Sequence, residues 1–150
     1  MSTSTADGLR DALGAMRAAP TAVSADPPTL LVCINRASPV PEAVRGNGAF
    51  GVSLLAANQH GIADTFAGRP TTGVGPYDFG VAEWTQLADR GPLVAGAVAH
   101  LHCELERLVD VATHVMLVGG VMHAATDPTD PLTYCGAMYG RRLLLAGLVL

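Results

Sequence analysis

The sequence predicts a mainly β fold: an antiparallel barrel of about six short strands, decorated by a few short helices. Three observations predict it. Residues 29–35 and 49–56 are strand-length apolar runs bounded by turn-forming residues. Residues 97–110 alternate, with Val98, His100, His102, Glu104 and Glu106 set against Ala99, Leu101, Cys103 and Leu105, the period of a half-buried strand. Gly- and Pro-rich breaks recur between these segments, and no G-x-G-x-x-G fingerprint supports a doubly wound nucleotide fold.

The elements follow in order. Residues 7–19 read as a helix: Leu9, Ala12, Leu13 and Met16 share one face, Asp7 can cap it and Pro20 stops it. Residues 21–26 form a brief connection, and Pro27-Pro28 set up the extended run 29–35, whose apolar character on both sides predicts a strand buried on both faces. Residues 39–46 read as a helix with Ser38 as N-cap, Pro39 just inside and Gly46 or Gly48 at the end. Residues 49–56 give a second strand and 58–66 a helix leading to Gly68. Residues 69–80 form a loop, and 84–87 a short extended piece. The alternating strand 97–110 then pairs with an apolar strand at 113–124, residues 125–130 turn, and 132–139 give one last strand.

Composition bounds the function. A chain of 150 residues is read as a single domain, 1–150. With 49% hydrophobic and 15% charged residues, some apolar surface is expected to be covered by a partner. A net charge of −4 argues against nucleic-acid binding. All 9 basic residues are Arg, whose fork suits phosphate oxygens. Cys33, Cys103 and Cys135 form no CxxC pair and read as buried, inert thiols of a reduced compartment. Residues 1–7 are Ser/Thr-rich without a signal-peptide pattern and are expected to be disordered; the apolar tail 143–150 is too short to span a bilayer. A cytoplasmic protein away from membranes is expected.

Few residues suggest chemistry. Asn35, Arg36, Ala37 and Ser38 follow a strand and precede a helix start, where backbone N–H groups with Ser and Arg side chains can hold an anion; the alternative is a capping Ser and a solvated Arg. His114, after Thr113 at the start of an apolar strand, is either a catalytic or a structural histidine. His100 and His102 lie two apart but lack a third ligand with metal spacing, so no metal is expected; His60 and His123 read as surface or cap residues. Trp84, Phe66 and Tyr139 can line a planar ligand or pack a core, and Arg141-Arg142 read as a surface pair. Nothing matches G-x-S-x-G or a Ser-His-Asp order. Asp127 and Asp130 look like turn residues, and Glu104 and Glu106 like a solvated face.

The order of several short motifs carries a resemblance. Arg10-Asp11-Ala12, Asp26-Pro27-Pro28-Thr29-Leu30-Leu31-Val32-Cys33-Ile34-Asn35, Gly46-Asn47-Gly48, Phe66-Ala67-Gly68, Trp84, Ala112-Thr113-His114 and Pro131-Leu132-Thr133-Tyr134 together resemble the flavin reductase-like family. The similarity is to the reductase components of two-component flavin monooxygenases, of the hydroxyphenylacetate hydroxylase and pyrimidine-utilisation types. It implies a homodimeric FMN-binding split β-barrel that uses NADH or NADPH to reduce FMN or FAD, which then leaves for a partner monooxygenase. It further implies that Ala22, Val23 and Ser24, before Asp-Pro-Pro, contact the isoalloxazine. Asn35 to Ser38 would contact the phosphate and ribityl chain, with Ser53 and Phe66 also at the flavin. His114 and Tyr139 would place the nicotinamide.

Two departures stand out. Relatives carry two strands between the first helix and Asp-Pro-Pro, where this chain has only Ala18-Ala19-Pro20-Thr21-Ala22-Val23-Ser24-Ala25, so the N-terminal hairpin is expected to be shortened and a barrel edge opened. Ser53 stands where relatives often carry Asn, keeping a hydroxyl but losing an amide. The shortening leaves a second reading open: a non-catalytic, flavin-binding or dimerising module on the same scaffold. A pyridoxamine-oxidase-type reading lacks the basic phosphate clusters it would need.

Overall fold

The computed structural model describes residues 20–70, 73–87 and 90–142. The predicted helix 7–19, the segment 1–7 expected to be disordered and the tail 143–150 lie outside the described residues. Nine strands are present among the described residues: β1 (Thr21–Ala25), β2 (Pro28–Asn35), β3 (Ala49–Leu54), β4 (Trp84–Leu87), β5 (Arg90–Val94), β6 (Ala99–Val111), β7 (His114–Thr126), β8 (Leu132–Cys135) and β9 (Met138–Arg141). Two α-helices, α1 (Val40–Asn47) and α2 (His60–Phe66), and two 3-10 turns complete the described elements. The mainly β class holds, but the strands exceed the expected six because short hairpins do not separate in a reading of apolar runs.

The main sheet has five strands in the order β1-β2-β7-β6-β3; β4-β5 and β8-β9 are separate two-stranded pairs. All the pairings are antiparallel. Among the described residues the sheet stays open, with β1 and β3 as its edges. β1 pairs only with residues 28–31 of β2, so residues 32–35 have no partner on that side among the described residues.

β2 is half-buried rather than covered on both faces. Leu30, Val32 and Ile34 point into the core, whereas Cys33 is exposed and Leu31 partly so. The inner residues meet Val115 and Leu117 of β7, Phe50 and Val52 of β3, Cys103 of β6, and Val40 and Val44 of α1. Helix α1 lies on this face because its apolar residues recur every turn. Its start is one residue later than expected: Pro39 is the N-cap, and the Ser38 hydroxyl accepts the Val40 N–H at 3.3 Å from outside the helix. Gly48 ends it at φ 68°, a left-handed conformation suited to glycine, with its N–H donated to the Val44 carbonyl at 2.8 Å.

A second cluster lies apart from this core and is tied to β3 where the Val94 N–H donates to the Ser53 hydroxyl. Leu55, Ile62, Phe66, Val94 and Ala97 form it, with Phe79, Trp84 and Leu132 against it. Within the main sheet, the β6–β7 hairpin shifts register at His102/Cys103 and again at Leu105/Arg107. The simple alternation read from the sequence is therefore interrupted: His102 and Cys103 are both buried.

Two boundaries also change. β7 runs on to Thr126, so the following turn begins at Asp127. Residues 132–139 form a hairpin, not one strand, because Gly136 and Ala137 take φ of 59° and 61° and reverse the chain between Cys135 and Met138. Cys103 is buried as expected, but Cys33 and Cys135 are exposed, which corrects the reading of all three thiols as buried.

Candidate functional site

The predicted anion loop and the Thr-His motif meet at one end of the main sheet. Asn35, the last residue of β2, faces His114, the first of β7, across the ladder. The chain then crosses over the β6–β7 turn, and the Arg36 N–H donates to the Thr113 carbonyl at 2.9 Å. The turn itself is tight, with Ala112 at φ 50° and Val111 paired to His114. This geometry places Asn35, Arg36, Ala37, Ser38, Thr113 and His114 in one neighbourhood, although Arg36 and Thr113 lie far apart in sequence.

Backbone donors in the loop are largely committed. Asn35 holds the turn twice, its side-chain oxygen accepting the Ala37 N–H at 2.9 Å and its carbonyl accepting the Ser38 N–H at 2.9 Å. The Val40 N–H goes to the Ser38 hydroxyl, and Pro39 and Pro41 have no N–H to give. An anion at this loop would therefore be met chiefly by side chains: the Arg36 guanidinium and the Ser38 O–H. The sequence leads one to expect backbone N–H groups together with the Ser and Arg side chains, but the backbone share is taken up within the turn.

Arg36 has two further partners that the sequence did not reveal. Its Nη2 donates to the Ala112 carbonyl at 3.1 Å and lies 3.2 Å from Asp110 Oδ1. His114 is exposed, and its Nδ1 lies 2.9 Å from the Thr113 hydroxyl. With Nδ1 so engaged, Nε2 is the ring atom left to meet a ligand.

The remaining predicted residues lie elsewhere in the protomer. Ala22, Val23 and Ser24 sit on β1 beside Leu30 and Thr29, roughly 20 Å along β2 from Asn35 at a strand's rise per residue. Ser53 faces His100 across β3 and β6, at the far end of β6 from the His114 turn, roughly 35 Å by the same rise. Its hydroxyl is buried, accepts the Val94 N–H at 3.1 Å and lies 3.4 Å from His100 Nδ1. Burial lowers the pKa of His100, partly offset by the Asp127 charge. Ser53 thus has a structural role in tying β5 onto β3.

Phe66 is a core residue, buried and packed edge-on against Phe79 at 5.5 Å. Tyr139 belongs to a polar cluster that the sequence did not single out. Its hydroxyl donates to Asp64 Oδ1 at 3.0 Å, its ring lies 5.2 Å from that of Tyr134, and Arg69 Nη2 stands 3.9 Å from the same Asp64 oxygen. Burial, and then the Asp64 carboxylate, raise the pKa of Tyr139. Only the cross-strand pairing of β8 with β9 and the docking of this hairpin on α2 assemble that group.

His102 and His123 pair across β6 and β7 with ring centres 6.2 Å apart, so His123 is a strand residue rather than a cap. Among the described residues, no three His, Cys, Asp or Glu side chains gather where they could hold a metal ion. No described helix is long and apolar enough to cross a membrane.

Comparison with known proteins extends this picture. A family model described as a flavin reductase like domain matches residues 2–142. The chain is 35% identical over 114 residues to an FMN reductase (NADH), RutF, of Ancylobacter novellus, covering 75% of this chain and 61% of that protein. It is 34% identical over 125 residues to an NADH-dependent FAD reductase of Streptomyces globisporus, covering 81% and 67%. Among solved structures, BorF, the flavin reductase component of a bacterial two-component tryptophan halogenase, superposes with a TM-score of 0.70 at 34% identity, covering 81% of this chain and 77% of that one.

Proposed function

Because the chain belongs to the flavin reductase like domain family, we propose that it reduces free FMN or FAD with NADH or NADPH and passes the reduced flavin to a flavin-dependent monooxygenase. The observation that carries this reading onto the chain's own residues is the convergence of Asn35 to Ser38 with Thr113 and His114 at one end of the sheet.

In such a reaction the nicotinamide supplies a hydride and the flavin takes it up together with one proton from solvent or from a protein group; the protein's main task is to align the two rings. Arg36 and Ser38 offer the donors for the flavin phosphate. His114 would meet a ring carbonyl or carry a proton through Nε2, with Thr113 fixing its orientation through Nδ1. Tyr139, held by Asp64, is proposed to help seat the nicotinamide.

The chain is further proposed to act as a homodimer in the cytoplasm, as a single flavin reductase-like domain, with no nucleic-acid or membrane partner. The outward face of the main sheet supports self-association. Leu31 and Cys33 of β2, Met116 and Val118 of β7, and Val109 and Val111 of β6 lie on it in register, with Val109 and Val111 37% and 47% exposed. Ala22 to Ser24, distant from His114 within one protomer, would reach a flavin held there only where a second copy brings them to it.

The edge of β2 at residues 32–35, unpaired among the described residues, favours a second reading, a flavin-binding or dimerising module without turnover. Mixing the purified protein with FMN or FAD and NADH or NADPH, and following the nicotinamide absorbance, separates the two. Flavin-dependent consumption that falls about tenfold or more in His114→Ala supports the reductase. A folded protein that consumes neither nicotinamide with either flavin leaves the second reading.

A further inference from the structure

We propose that Asp110 is a built-in competitor of the flavin phosphate for Arg36, lowering the affinity of the loop for phosphate so that the flavin is held loosely. The proposal rests on the flavin reading above and on Arg36 as the phosphate donor.

The loop has few donors left for a ligand. The Ala37, Ser38 and Val40 N–H groups are used within the turn, and Pro39 and Pro41 have none, so among the described residues Arg36, the loop's own arginine, carries most of the attraction for an anion. That cation is already engaged. Arg36 Nη2 has two protons, and two acceptors of the β6–β7 hairpin stand beside it, Asp110 Oδ1 at 3.2 Å and the Ala112 carbonyl at 3.1 Å. Nε and Nη1 are the donors left for a phosphate. An incoming phosphate would therefore meet a guanidinium partly neutralised by a carboxylate, with a second anion a few ångströms away.

The two acceptors do different work. The Ala112 carbonyl is fixed by the turn and holds the guanidinium in place without adding net charge. Asp110 adds the opposing charge. Replacing Asp110 by Asn keeps an acceptor oxygen near Nη2 and removes only the charge, so orientation survives while competition ends. Both side chains are more than half exposed, at 53% for Arg36 and 65% for Asp110, so solvent screens the effect and it is modest. For a flavin that must leave after reduction, a small weakening of the phosphate contact is useful.

The test compares FMN with riboflavin, which lacks the phosphate, by flavin fluorescence quenching at low and high salt. Asp110→Asn is expected to bind FMN about three- to fivefold tighter at low salt, with the gain shrinking in concentrated salt and riboflavin unchanged. Glu104→Gln removes the same charge from the other half of β6 and is expected to leave both constants unchanged. Unchanged or weaker FMN binding by Asp110→Asn overturns the proposal, as does an equal gain for riboflavin or an equal gain from Glu104→Gln. Arg36→Ala is expected to weaken FMN but not riboflavin. If it weakens both alike, the phosphate role of Arg36 falls and the proposal with it, while flavin-dependent turnover by the wild type remains a separate result.

Discussion

Gly119 of β7 and Phe50 of β3 occupy the same space in the core: a Cβ on Gly119 would lie 2.7 Å from Cε1 and Cζ of the Phe50 ring and 3.0 Å from the Cys103 Cβ. The two residues are on strands separated by β6, so the ring reaches under that strand to the bare backbone of β7. The inner layer is closed by this contact, and the same strand begins at His114 at the candidate site.

Gly119→Ala is accordingly expected to destabilise the fold by about 1–3 kcal/mol, because a buried ring and a strand backbone must move apart. Gly46, in α1 with nothing within 4 Å of where a methyl would stand, gives the control. Gly46→Ala is expected to stabilise by about 0.5–1 kcal/mol through helix propensity. Urea unfolding of both variants checks the pair; equal effects would show that crowding at Phe50 is relieved at no cost.

Alkaline pH should act through Cys103. Burial pushes this thiol from 9.0 up to about 12. The folded state therefore keeps the proton more tightly than the unfolded chain. The stabilisation is complete below about 9 and is lost as pH rises from 9 towards 12, with a slope of up to about 1.4 kcal/mol per pH unit. Unfolding midpoints measured across this range should fall, and Cys103→Ala, less stable at neutral pH, should fall less steeply. A parallel decline in both proteins would assign the loss to other groups.

Acid should act in the opposite sense through His100, whose pKa burial lowers from 6.5. The folded state resists protonation that the unfolded chain accepts. The contribution is thus present above 6.5 and is lost as pH falls through the lowered folded value. His100→Asn, which keeps a polar partner for Ser53, is expected to flatten the stability profile below that pH. Thermal unfolding at several acidic pH values reads the difference, and superimposable profiles would remove His100 from the acid response.

Local signals along the chain were enough for the β class, the strand cores of β2, β3, β6 and β7, the helix after Ser38, the family, and the two halves of the candidate site. Those signals are apolar runs, a period of two, prolines and glycines at turns, and short motifs in order. What pairs with what came only from the packed molecule. Leu31 and Cys33 read as core because a strand's composition does not say whether its second face is covered. The hairpin at Gly136 was hidden in a continuous apolar stretch, and the shifts at His102/Cys103 and Leu105/Arg107 leave no mark on the alternation itself. The tie of Arg36 to Asp110 and Ala112 was likewise invisible, because it depends on β2 and the β6–β7 turn ending at the same height of the sheet. Register is a property of two strands together, set by the packing of faces that neither strand specifies alone.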